Sequence, residues 1–331
     1  MIEVKHLTKR YGAHTAVDDL TFTIEKGVVY GLLGPNGAGK STTMNIITGC
    51  LGASEGEVSI DGHNVMDEPM KAKRLVGYLP EQPPLYQDMT PDEYLRFVLG
   101  AKGVKRRDWP AQLESVIEKT QIQDVRHRLI RNLSKGYKQR VGIAQALLGD
   151  PEVIILDEPT VGLDPAQIIE IRELIRSLGH DHTMILSSHI LSEVQAVCDH
   201  IMIISKGKLA ASDTSDNLTR LFAGNSALQL EIRGSEADAR AALAGHDEIG
   251  TVEYSGENEG VTSLRITPPK GEDVRETVFR LFAGAGPAIL EMRTERATLE
   301  DVFLELTASP PAQPTGKPKR GSKGKKEGEQ A

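Results

Sequence analysis

Leu20, Phe22 and Ile24 alternate with polar residues, as in a strand with one buried and one wet face. Elsewhere alternation gives way to short continuous apolar runs. VVYGLLG (28–34), VIILDEP (153–159) and TMILSSH (183–189) read as parallel strands covered on both faces. IMIISKGKLAAS predicts a hairpin turning at Lys206-Gly207. Between Leu85 and Asn132 the period becomes helical. Helices are expected near 91–101 and 108–120, opened by Pro91-Asp92 and by Asp108-Trp109-Pro110. A further helix should start at Ser134, a good N-cap. There Val141, Ala144 and Leu148 recur at helical spacing until Gly149-Asp150-Pro151 stops the run. The pattern predicts an α/β domain over residues 1–222, with an antiparallel β portion and a helical insert at about 85–150.

From Ala227 a second pattern begins. ALQLEIRG is strand-like, SEADARAALAG helical, and TVEYSG and VTSLRIT are strand-like. GEDVRETVFRLFAG is again helical, AILEMRT a strand, and TLEDVFLELT a closing helix with Thr298 as N-cap. The order β-α-β-β-α-β predicts a small α+β, ferredoxin-like domain over 223–308. Residues 309–331 are Pro-rich and then Lys/Gly-rich. They lack the apolar surface to fold and read as a disordered basic tail.

Composition changes this picture in two places. The last 17 residues carry six basic and two acidic side chains within an overall net charge of −8, so residues 1–314 carry −12. An acidic body argues against nucleic acid as a partner. The tail could solubilise the chain or touch anionic lipid. No apolar run approaches the roughly 18 residues of a membrane span, and the start, MIEVKHLTKRYG, lacks a leader's apolar region, so a cytosolic protein is expected. Cys50 and Cys198 have no metal-ligand spacing and read as two buried, reduced thiols.

The candidate chemistry begins at GPNGAGKS (34–41), which fits G-x-x-x-x-G-K-[ST] between a strand and a plausible helix. Such a loop turns backbone N–H groups inward onto phosphate oxygens, and the helix N-terminus adds positive potential. Lys40 would contact the β- and γ-phosphates, and Ser41 would ligate Mg²⁺. VIILDE supplies a second carboxylate for the metal, Asp157, at the carboxyl end of a buried strand. Glu158, next to it, is placed to orient and activate an attacking water.

Tyr11, GPNGAGKST (34–42), LSKGYKQR (133–140), VIILDEP, VGLDP (161–165) and SSH (187–189) stand in an order and spacing that resembles the ATP-binding cassette (ABC) ATPases. The resemblance covers residues 1 to about 220 and implies a P-loop NTPase fold of the ABC type. TLEDVFLELT is similar to the close of the accessory domain in cassettes serving ABC-2-type exporters, a group that includes gliding-motility, sodium-export and drug-export ATPases. The resemblance implies ATP and Mg²⁺ as ligands. Gly34, Pro35, Asn36, Gly37, Ala38, Gly39, Lys40, Ser41 and Thr42 would cradle the phosphates. Tyr11 would stack on adenine, and His189 would contact the γ-phosphate and the catalytic water. Asp164 would link two sites across a dimer. LSKGYKQR corresponds to a loop that usually reads LSGGQ and binds the γ-phosphate of ATP held by the other subunit. Its third and fifth positions are here Lys135 and Tyr137, while Ser134 and Gly136 remain. Where the family commonly reads Pro-Gln, this chain reads Pro80-Glu81-Gln82. Gln82 fits the metal contact by chemistry, Glu81 by position.

The resemblance therefore implies an ATP-hydrolysing subunit working as a head-to-tail homodimer, peripheral at the cytoplasmic membrane face, that drives separate ABC-2-type transmembrane permeases. Two other classes remain open. A soluble ABC ATPase of DNA repair would carry long coiled coils between the nucleotide motifs, yet 117 positions separate Lys40 from Asp157; translation types usually hold two cassettes, and one is found here. A regulatory ATP-binding module would have no need of Glu158 and His189.

Overall fold

The computed structural model describes residues 1–222, 227–269, 272–295 and 298–307. The basic tail, 309–331, lies outside the described residues. A six-stranded sheet organises the first part of the chain: β3 (Val29–Leu33), β6 (Val76–Leu79), β7 (Val153–Asp157), β8 (Thr183–Ser188), β9 (His200–Ser205) and β10 (Lys208–Asp213), in the order β10-β9-β3-β8-β7-β6. All neighbours are parallel except the β9/β10 hairpin. Its turn is Lys206-Gly207, both at positive φ, as the sequence predicts.

The continuous apolar runs are explained by what covers each face. Along β7, Ile154 and Leu156 enter one core with the helical insert, while Val153 and Ile155 enter another beneath an antiparallel sheet. On β8, Met184 and Leu186 face the first core and Ile185 the second. Period two is present, but both faces are dry, so the polar half of the alternation is missing. The antiparallel sheet comprises β1 (Ile2–Tyr11), β2 (His14–Ile24), β4 (Glu55–Ile60) and the short β5 (His63–Asn64), in the order β2-β1-β4-β5. Here Leu20, Phe22 and Ile24 point inward from a strand whose intervening residues are exposed.

Helices fill the connections: α1 (Lys40–Ile47), α2 (Pro69–Arg74), α3 (Pro91–Ala101), α4 (Trp109–Thr120), α5 (Lys135–Leu147), α6 (Pro165–Gly179), α7 (Leu191–Val197) and α8 (Ser215–Phe222). The cap of α3 is Thr90, one residue before the expected opening. Its hydroxyl accepts the Glu93 N–H at 3.3 Å while the Glu93 carboxylate accepts the Thr90 N–H at 2.9 Å. The far end of α5 is closed by Lys102, whose Nζ donates to the carbonyls of Ala146 (3.2 Å) and Leu148 (2.5 Å). Burial lowers the Lys102 ammonium to about 8.

The βαββαβ pattern forms a third sheet from β11 (Ala227–Arg233), β12 (Thr251–Asn258), β13 (Val261–Thr267) and β14 (Ala288–Glu295), in the order β12-β13-β11-β14, all antiparallel. This is the ferredoxin-like order. Its core joins Leu230, Ile232, Leu264 and Ile266 to residues of α9 (Glu236–Leu243) and α10 (Arg275–Ala285). The last helix, α11 (Leu299–Thr307), is capped by Thr298, whose hydroxyl accepts the Asp301 N–H at 3.3 Å. It does not join that core. Leu299 and Val302 pack instead against Leu33, Leu191, Val194, Ile201, Ile203 and Leu218. The expectation of two buried thiols fails at Cys50, which is exposed on the segment after α1; Cys198 is partly buried.

Candidate active site

The loop between β3 and α1 opens onto a cleft of about 510 Å³ at the carboxyl edge of the six-stranded sheet. Residues 36–42, Tyr11, Glu81, Glu158, His189 and Val161, the first residue of VGLDP, line it, as do His14 and Ala16, which the motifs did not point to. Gly39 ends the loop at φ +105°, and a Cβ there would stand 2.5 Å from the Ala16 carbonyl oxygen. Only glycine allows the loop to turn this closely over β2. The Lys40 ammonium donates to the Gly34 carbonyl at 2.8 Å and lies 3.7 Å from Glu158 Oε1. Burial lowers its pKa, opposed by the nearby Glu158 and Asp157 carboxylates.

The carboxylates are held from the neighbouring strand. Asp157, 3% exposed, accepts a short hydrogen bond from the Ser187 hydroxyl. The Glu158 N–H donates to the Ser187 carbonyl (3.2 Å) and hydroxyl (3.1 Å). Glu158 itself sits at φ +48°, a left-handed conformation that costs a non-glycine residue roughly 1–2 kcal/mol. Strain at a buried carboxylate is typical of a functional position. His189 Nδ1 lies 3.0 and 2.9 Å from the two Glu158 oxygens. Against a carboxylate, which only accepts, that nitrogen carries the hydrogen.

Tyr11 stands at the mouth, 49% exposed, with the Lys9 ammonium 5.3 Å from its ring centre. Of the two metal candidates on the loop after β6, Glu81 lines the cleft; Gln82 is exposed and is not among its lining residues. The oxygen set of Ser41, Asp157 and this loop suits a hard cation that takes its remaining ligands from phosphate and water.

Ser134 and Gly136 lie elsewhere. They line a second cleft, of about 410 Å³, with Gln121, Gln123, Asp124, Tyr137, Arg140 and residues of α6. The two clefts share no lining residue. Ser134 caps α5, accepting the Tyr137 N–H at 3.3 Å. Asp164 caps α6 in the same way, accepting the Gln167 N–H at 2.9 Å. The two caps are interlocked: the Lys135 ammonium lies 2.1 Å from where a Cβ on Gly162 (φ +69°) would stand. Lys135 therefore folds over the loop before Asp164.

A family profile described as ABC transporter matches residues 17–161. An uncharacterized ABC transporter ATP-binding protein of Bacillus subtilis (strain 168), YhcH, is 43% identical over 316 residues, spanning 93% of this chain and 96% of that protein. The chain belongs to the ABC transporter ATP-binding proteins. This ABC cassette is also 33% identical to the bacitracin transport ATP-binding protein BcrA of Bacillus licheniformis, across 92% and 97% of the two chains. Among solved structures it is similar to a dimeric post-hydrolysis state of the ATP-binding cassette MJ0796 bound to ADP and Pi. The TM-score is 0.59 at 26% identity, covering 65% of this chain and 98% of that one. The cassette is an ABC ATPase.

Proposed function

We propose that this ABC cassette is the ATP-hydrolysing subunit of an ABC-2-type exporter, acting as a head-to-tail homodimer at the cytoplasmic face of the membrane. The observation that carries the dimer is the separation of the two clefts: Ser134 and Gly136 do not line the P-loop cleft of their own chain. Juxtaposing two chains head to tail would bring the Ser134–Gly136 loop of each to the other's cleft. Tyr11 would stack on adenine, residues 34–42 would wrap the phosphates, and Ser134 and Gly136 of the second chain would close over the γ-phosphate. Asp164 would face the seam.

Mg²⁺ would be held by Ser41 and Asp157, with Glu81 or Gln82 reaching it through the loop after β6, and would neutralise phosphate charge. Glu158 would accept the proton of the attacking water as its oxygen bonds to the γ-phosphorus and the bond to ADP breaks. His189, oriented by Glu158 through Nδ1, would steady the γ-phosphate. Closure on ATP and reopening after phosphate release would be the stroke passed to the membrane.

No helix among the described residues is long and apolar enough to cross a membrane, and the reading assigns the pathway to separate permease subunits. These would dock by the Glu81-Gln82 loop and the helical insert, where Tyr86 and Phe97 are about half exposed with rings 5.2 Å apart. The similarity to the bacitracin transport ATP-binding protein BcrA supports transport of an antibiotic-like cargo. The test is to purify the Glu158→Gln variant with bound ATP and identify what accompanies it. Polytopic membrane proteins are expected; recovery of ribosomes or DNA alone would sink the transporter reading.

A further inference from the structure

Glu193 is a buried carboxylate for which the hydrolytic step has no use. It stands in the first turn of α7, 4% exposed. Its Oε2 accepts the Thr160 hydroxyl at 2.6 Å and the Ser188 hydroxyl at 2.9 Å. The two donors come from the two segments that carry the reacting groups. Thr160 lies two residues beyond Glu158, and Ser188 immediately precedes His189. The Ser188 oxygen also accepts the Ile190 N–H at 3.0 Å, so the residue after His189 hangs on the same point.

Burying a carboxylate is costly, and an apolar side chain would fill the same space more cheaply. What the acid adds is one strong acceptor for two hydroxyls. The acceptor is also fixed in space, because α7 lies directly on β3: Val194 Cγ1 is 2.2 Å from where a Cβ on Gly31 would stand.

We propose that Glu193 is a positioning residue for ATP hydrolysis. Its carboxylate clamps the segment after Glu158 and the segment around His189 to one point on α7, holding the Glu158–His189 contact at 2.9–3.0 Å through each cycle. The inference rests on the ATPase reading of this cleft. Glu193 touches no substrate; it acts through the two residues that do.

Steady-state ATPase kinetics on the full chain test the clamp. Glu193→Ala should lower kcat at least about tenfold with the KM for ATP within about twofold, since misplacing a catalytic pair slows chemistry and leaves uniform binding intact. Glu193→Gln, whose amide oxygen still accepts both hydroxyls, should recover kcat to within about threefold of wild type. A wild-type kcat in Glu193→Ala, a raised KM at unchanged kcat, or no recovery in Glu193→Gln would each overturn the proposal. Should Glu193→Ala not accumulate as folded protein, Thr160→Val removes one donor and keeps the shape. It should lower kcat several-fold at unchanged KM and Tm, and full turnover in it would be equally fatal. Turnover of the wild-type chain and of Glu158→Gln is measured alongside. If those two do not differ, the ATPase reading fails; if only the Glu193 variants behave as wild type, the clamp alone fails.

Discussion

Around Lys40 the polar groups are buried and mutually engaged. The ammonium, Asp157 and Glu158 are each under 10% exposed and are tied to each other, to the P-loop and to Ser187. Around Ser134 the cap is open to solvent: the serine is exposed, and among the described residues its hydroxyl accepts only the first-turn amide of its own helix. One cleft holds its charges already desolvated and oriented, as a reaction site would need. The other is a helix N-terminus with its amides presented outward. The difference fits the proposed dimer, in which the chemistry would be assembled within one chain and the trigger supplied by a second.

Breaking only the open cleft gives the largest effect. Gly136→Asp should leave ATP binding in the P-loop cleft within about threefold while lowering turnover at least about a hundredfold, because the carboxylate would face a partner's phosphate. Equal mixing with Lys40→Ala, dead by itself, should restore about a quarter of wild-type turnover through heterodimers with one intact composite site. Equilibrium binding and ATPase assays read both; no restoration on mixing would mean each chain works alone.

Tyr11→Ala sharpens the comparison from the other side. It should weaken ATP binding by about five- to twentyfold with kcat unchanged, since base stacking contributes roughly 1–2 kcal/mol and is present before and during the reaction. An effect on kcat in place of KM would take Tyr11 away from the adenine.

Much of this organisation was legible in the sequence because it rests on rules that act locally. The apolar runs of β3, β7 and β8, the Lys206-Gly207 turn and the Ser134 cap follow from periodicity and backbone preference alone. The P-loop and Asp157-Glu158 announce themselves because phosphate chemistry restricts residue type. Thr160 and Glu193 did not, because their contact joins residues 33 positions apart that read in sequence as two ordinary polar residues. His14 and Ala16 enter the cleft only because β1 and β2 pair at Tyr11–His14, a tertiary fact. The choice between Glu81 and Gln82 was ambiguous for the same reason: a count along the chain cannot say which of two adjacent residues turns toward a cleft.

The smallest effect concerns Lys102 at the far end of α5. Burial lowers its ammonium from 10.5 to about 8, so the charged form weighs against the folded state below that value. The cost fades as pH rises from about 8 towards 10.5. Stability of the wild-type chain relative to Lys102→Met should therefore rise between pH 7 and pH 9.5, by a few degrees in Tm. A difference that does not change with pH would show that this lysine titrates normally.

The placement of α11 bears on how the chain is made. Leu33, Ile201 and Ile203 lie in strands synthesised early, yet part of their cover is Leu299 and Val302, near the end of the described chain. During translation the cassette therefore emerges with an unfinished apolar face, and nascent chains cut short before residue 299 keep it. Such products would present a sticky surface to chaperones and proteases.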